Sequence, residues 1–214
     1  MKFKMFFCLL LAVLTFTSCI GMNAEIVMRS NGSGRITLEY RVSQMLESLG
    51  RLDGNENWPA IPVGRGDFER AVARIPGLRL VSHSSRDVPG AAGGRDLLTT
   101  VVLDFQNPAV LLAVLDNTAA GASFARENGR NFLRLTLRDA SDDTIDADLL
   151  SLFREFSEGY TISISLRAPN NASLAVMPPS APGERSSSGR NASFSIGTGD
   201  LFSFEEGLSL EFGW

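Results

Sequence analysis

Stretches in which apolar and polar residues alternate recur from one end of this chain to the other, and they set the class of fold it can adopt. Ile36, Leu38 and Tyr40 interleave with Arg35, Thr37, Glu39 and Arg41, and Ile162, Ile164 and Leu166 with Thr161, Ser163 and Ser165. A strand turns successive side chains to opposite faces, so a period of two predicts sheets wet on one side and buried on the other. Residues 25–29, 35–42, 78–83, 97–104, 122–126, 132–138, 160–167, 172–177, 191–196 and 208–212 read as strands. Asn31-Gly32-Ser33-Gly34 and Glu127-Asn128-Gly129-Arg130 supply hairpin turns, because Asn and Gly tolerate positive φ.

Four short helices punctuate these strands. Ser43 is placed to cap one that carries Met45, Leu46 and Leu49, with Gly50 to end it. Asp67 is placed to cap a second with Phe68, Val72 and Ile75 on one side, stopped by Pro76-Gly77. Asn107-Pro108 opens a third, packed through Val110, Leu111, Val114 and Leu115. Ile145, Leu149, Leu152, Phe153 and Phe156 form the apolar stripe of a fourth. Hairpins without a regular βαβ rhythm predict an α+β fold: a mainly antiparallel β-sheet with about four short helices, the helices covering one face. At 214 residues, 44% of them apolar, the chain has length and core for one domain, over 24–214. The Pro- and Ser-rich stretch 178–190 has almost nothing to bury and reads as a flexible loop, and Trp214 is placed to cover a sheet edge.

The distribution of two residue types marks off the N-terminus. Lys2 and Lys4 are the only lysines, and Cys8 and Cys19 the only cysteines. Two lysines followed by an apolar run from Met5 to Phe16 have the form of a signal peptide, 1–18, too short for the roughly twenty apolar residues of a spanning helix. Phe16-Thr17-Ser18-Cys19 resembles the lipobox of bacterial lipoproteins, with Phe16 closer to the looser boxes of spirochaetal members. The resemblance implies cleavage before Cys19, acylation of that thiol, a lipid-anchored tether over 19–23 and a place in the bacterial cell envelope. The alternative is a secreted protein with a chance cysteine. Cys19 has no second mature cysteine to pair with, which favours the anchor. Without the leader, 18 arginines face 24 acids, a formal charge of −6, so the lipid and not charge would hold the bilayer.

Behind that cysteine the order of elements resembles the LppM-like group of bacterial envelope lipoproteins. The likeness is carried by Ala24-Glu25-Ile26-Val27, Gly32-Ser33-Gly34-Arg35-Ile36-Thr37-Leu38-Glu39 and the late Ala192-Ser193-Phe194-Ser195-Ile196 before a terminal strand. It implies a soluble α+β domain outside the cytoplasmic membrane with a binding or scaffolding role and no transferable catalytic residue.

The residues themselves offer little chemistry. The acidic balance gives no support to nucleic-acid binding. His83 is the only histidine, and Ser82 and Ser84 beside it would lie on the opposite face of a strand; a hydrolase using His83 would need an acid from elsewhere, such as Asp104. The acidic run 139–148 lacks the glycine and terminal glutamate of an EF-hand and reads as a charged helix start, with a calcium site as the alternative. Neither 90–96 nor 64–67 has a phosphate-loop spacing, so no cofactor is expected, and no metal centre. Arg65, Arg70 and Arg74 lie close in sequence, with Arg70 and Arg74 one helical turn apart, and form an anion-binding candidate. Trp58, in a loop beside Pro59, is the aromatic candidate for partner contact, or a lid over the core. The resulting expectation is a non-catalytic module that binds an envelope protein or a lipid-like ligand, with a hydrolase and a purely structural protein as alternatives.

Overall fold

A computed structural model describes residues 20–43, 64–90, 94–115, 121–139 and 157–214. Eleven strands form two sheets among these residues. The strands are β1 (Ile20–Met28), β2 (Gly34–Ser43), β3 (Leu78–Pro89), β4 (Arg95–Phe105), β5 (Ala122–Glu127), β6 (Arg130–Arg138), β7 (Thr161–Arg167), β8 (Ser173–Met177), β9 (Glu184–Ser188), β10 (Asn191–Gly197) and β11 (Leu208–Gly213). The larger sheet has the order β3-β4-β2-β1-β7-β10-β9 and the smaller β5-β6-β11-β8. All pairings are antiparallel except β1 with β7. Three short helices accompany them: α1 (Arg65–Val72), α2 (Pro108–Leu115) and α3 (Thr198–Ser203). The fold is α+β and mainly antiparallel.

The alternation read from the sequence sets the two faces of the large sheet. Ile26, Ile36, Leu103, Leu166 and Ala192 share a buried row across five strands. Val27, Arg35, Asp104, Arg167 and Asn191 share the row on the polar side. The small sheet turns Leu133, Leu135, Leu208, Leu210 and Phe212 inward, and both inner faces belong to one continuous core with Phe105, Leu111 and Phe194. Among the described residues the core is shared by both sheets and by Phe68, Leu111 and Leu201 of the three helices.

Several boundaries differ from the sequence reading. Residues 20–23, expected as a tether, are strand: Ile20 to Asn23 pair with Val42 to Glu39 of β2, so β1 begins one residue after Cys19. The stretch expected as a flexible loop, 178–190, instead contains β9, paired with β10 from Glu184 to Ser188. Its Ala181 is buried, and Gly183 (φ +111°) lies where a Cβ would meet the Phe194 ring and the Ser195 carbonyl at 2.7 Å. Ser188 and Asn191 flank a two-residue turn with Gly189 at φ 54°, the position where a type II′ hairpin takes glycine. Pairing to a neighbour's backbone orders this segment without any apolar face of its own. Asp67 is not the cap of α1: Gly64 is, and the Asp67 carboxylate accepts its N–H at 3.3 Å from the third helical position. Gly197 is the N-cap of α3, which Thr198 opens.

Other expectations hold. Asn128 (φ 51°) and Gly129 (φ 80°) make the β5–β6 turn. The Asn107 side-chain oxygen accepts the Val110 N–H at 3.1 Å at the start of α2. Trp214, expected to cover a sheet edge, instead continues the inner β11–β6 ladder: it is buried, exchanges backbone hydrogen bonds with Asn131 and packs its ring 5.8 Å from that of Phe124. The helices read around 45–49 and 145–156 lie outside the described residues, as do the signal peptide, Cys19, Trp58 and most of the acidic run.

Candidate binding surfaces

His83 lies on β3 opposite Val101, on the core-facing side, with its ring 5.3 Å from Phe68 of α1 and tilted 40° to it. The register separates it from the acid that a relay would need. Asp104 occupies the other face of β4, where its carboxylate accepts Arg35 Nε at 2.8 Å and an Arg79 guanidinium nitrogen at 2.7 Å. Ser82 and Ser84 turn to that same outer face, and the Ser85 hydroxyl bonds Thr99 Oγ1 at 2.8 Å. His83, Asp104 and a serine are therefore not brought together. Among the described residues no three His, Cys, Asp or Glu side chains form a group that could hold a metal ion.

The Asp104 cluster ties three strands. The hydrogen bond from Arg35, and then that from Arg79, hold the Asp104 carboxyl below its ordinary value. A carboxyl lowered by folding adds stability above its unfolded pKa, and that stability is lost as pH falls through the lower folded value. Urea midpoints measured between about pH 5 and pH 2 should therefore fall less steeply in Asp104→Asn than in the parent. An unchanged slope would show that the cluster contributes nothing to acid sensitivity. Deeper in the sheet, the Tyr160 hydroxyl donates to fully buried Asp96 at 2.8 Å, and burial pushes the Tyr40 phenol above its ordinary range.

On α1, Arg65 Nε bonds Glu69 at 2.7 Å and Arg70 pairs with Asp67. The helix stops at Val72 with Ala73 as its cap, so Arg74 stands beyond it and does not share a helical face with Arg70. Pro76 disfavours helix in the residue before it, and Gly77 at φ 87° turns the chain into β3, which ends the helix early. The three arginines are neighbours, two of them already engaged by carboxylates of their own helix.

A different basic site lies at the opposite margin. Arg130, Pro169, Asn170, Asn171 and Arg190 line an open cleft of about 560 Å³. Arg130 follows the glycine of the β5–β6 turn and Arg190 the glycine of the β9–β10 turn, while the asparagines belong to the β7–β8 connection. Sixty positions separate the two arginines, so only their matching Gly-Arg placement in hairpin turns could have drawn attention to them. A second cleft of about 560 Å³, bordered by Arg138, Asp139, Met177, Pro178 and Glu206, carries mixed charge. Its Arg138 is committed to the carbonyl oxygens of Leu201 and Phe202 at the end of α3.

The molecule is thus a two-sheet α+β domain with open polar clefts, in which His83 and Asp104 lie on opposite faces of the large sheet. It is similar to the folded domain of LppM from Mycobacterium tuberculosis, at 14% identity over 90% of this chain and 88% of that one, with a TM-score of 0.48. This is the group that the hairpin and late-strand pattern resemble. The N-terminal periplasmic domain of ScsB from Proteus mirabilis aligns at 10% identity over 79% of this chain and 76% of that one, with a TM-score of 0.13. No family model and no curated relative matches the chain. Among the described residues no helix is long and apolar enough to cross a membrane.

Proposed function

We propose that this chain is a bacterial envelope lipoprotein, cleaved before Cys19 and acylated on it, whose domain is a non-catalytic binding module. The observation that carries the reading is the run from Met1 to Cys19: two lysines, a short apolar stretch and a cysteine at its end. β1 starts at Ile20, so the lipid would attach directly to the end of the central strand of the large sheet. Separation of His83 from Asp104 favours binding over hydrolysis, and the Arg130–Arg190 cleft offers polar groups with no hydroxyl, thiol or carboxylate side chain in its lining. Two acyl chains or more are what lasting retention requires, since a single chain gives only marginal, reversible attachment.

Intact-mass analysis of the mature protein should show a chain beginning at Cys19 with the mass of added lipid. Cys19→Ser should move the protein from the membrane fraction to the soluble one. Retention of the serine variant in membranes, with no lipid mass on the parent, would overturn the anchor. A turnover activity abolished by His83→Ala would overturn the non-catalytic reading. A purely structural envelope role would take its place if neither ligand nor turnover were found.

A further inference from the structure

The Arg130–Arg190 cleft has the chemistry of a ligand site. No acid lines it, although the whole chain carries a formal charge of −4. Arg35, Arg65, Arg70, Arg79 and Arg134 each pair with a carboxylate, whereas neither Arg130 nor Arg190 does so among the described residues. Both are held in place by other means. The Ala168 N–H donates to the Arg190 carbonyl and the Ala172 N–H to the Gly189 carbonyl, each at 2.8 Å, so the β7–β8 connection grips the turn that presents Arg190. Arg130 donates to Ser173 Oγ at 3.1 Å, and its guanidinium carbon stands 5.8 Å from the centre of the Phe132 ring. Ser173 Oγ in turn donates to the Gly213 carbonyl at 3.2 Å.

We propose that this cleft binds a small, water-soluble molecule bearing one oxyanion, carboxylate or phosphate, beside several hydroxyl groups: an acidic sugar or a sugar phosphate. A guanidinium offers a planar fork of donors that matches either oxyanion. The Asn170 and Asn171 amides both donate and accept, which suits hydroxyls that do the same. Pro169 is the sole apolar side chain of the lining, leaving no place for an acyl chain.

Given the proposed anchor at Cys19, topology separates the cleft from the bilayer. β7 runs parallel to β1, with Met22 beside Ile162 and Val27 beside Arg167. The end of β7 that leads into the cleft is therefore at the Met28 end of the sheet, away from Ile20 by about 25 Å at the usual rise per residue. A ligand reaching it comes from the aqueous side.

The test uses the mature chain from residue 19 with Cys19→Ser, so that its outcome does not depend on acylation. Glucuronate and glucose 6-phosphate are titrated against backbone amide NMR signals, with glucose as the neutral control. Saturable shifts at Asn170, Asn171, Gly189 and Arg190 are expected with at least one charged sugar, and weak, unsaturated shifts with glucose. Arg190→Gln and Arg130→Gln should each weaken binding by about tenfold, as loss of a charge-assisted pair does, with spectra unchanged away from the cleft. No saturation by either charged sugar, equal binding of glucose, or unaltered affinity in Arg190→Gln would overturn the site. Phosphatidylglycerol vesicles that produce the same Arg190-dependent shifts would overturn its assignment to a soluble ligand.

Discussion

Phe212→Ala is expected to lower the stability of the domain by about 3–5 kcal/mol, the range found when a buried aromatic is truncated and the site cannot collapse. Phe212 is completely buried on β11, an inner strand of the small sheet, between Leu133 of β6 and Leu174 of β8. Its ring faces the core shared with the large sheet, where neighbours held by two hydrogen-bonded ladders have little freedom to close a void. Urea unfolding followed by fluorescence and by circular dichroism should show a lower midpoint with an unchanged slope. A loss below about 1 kcal/mol would mean that the sheets do not meet through this residue.

The second large effect comes from adding atoms. Gly34 begins β2 between Met28 and Phe105. A Cβ there would fall inside contact distance of the Val27 carbonyl oxygen and Phe105 Cζ, and 2.9 Å from Phe105 Cε1. The carbonyl belongs to the β1–β2 hairpin and the ring is almost fully buried, so neither can retreat cheaply. Gly34→Ala should therefore cost about 3 kcal/mol, the upper end of overpacking penalties, and Gly34→Val more. Gly66→Ala, on the exposed first turn of α1, provides the contrast: its Cβ would meet only the flexible end of Arg70 at 3.4 Å. It should be neutral or gain up to about 1 kcal/mol from helix propensity. Equal responses at the two glycines would refute the close approach at Gly34.

What could be read in advance follows from how locally each feature is encoded. The pairs 35–42 and 160–167 show their faces in their own side chains, and the Asn-Gly turn at 128–129 shows its geometry in the φ values those residues permit. β9 shows nothing of the kind. Glu184-Arg185-Ser186-Ser187-Ser188 is exposed throughout, and it is a strand because β10 offers a row of backbone partners. Arg65, Arg70 and Arg74 attracted notice by sequence proximity, yet α1 ends before the third and supplies carboxylates to the first two.

Local pattern by itself determined the α+β class, most strand positions, and the second and third expected helices. Hydrophobic period and turn chemistry act within about ten residues, so each is readable without the rest of the chain. Only the tertiary structure decided that β1 starts at Ile20, that it runs beside β7 in parallel, and that the strands divide into two sheets that share one core. It alone placed His83 and Asp104 on opposite faces and gathered Arg130 and Arg190 at one cleft. Strand order and register arise from many weak contacts between residues far apart in sequence, and no short stretch of the chain carries that information.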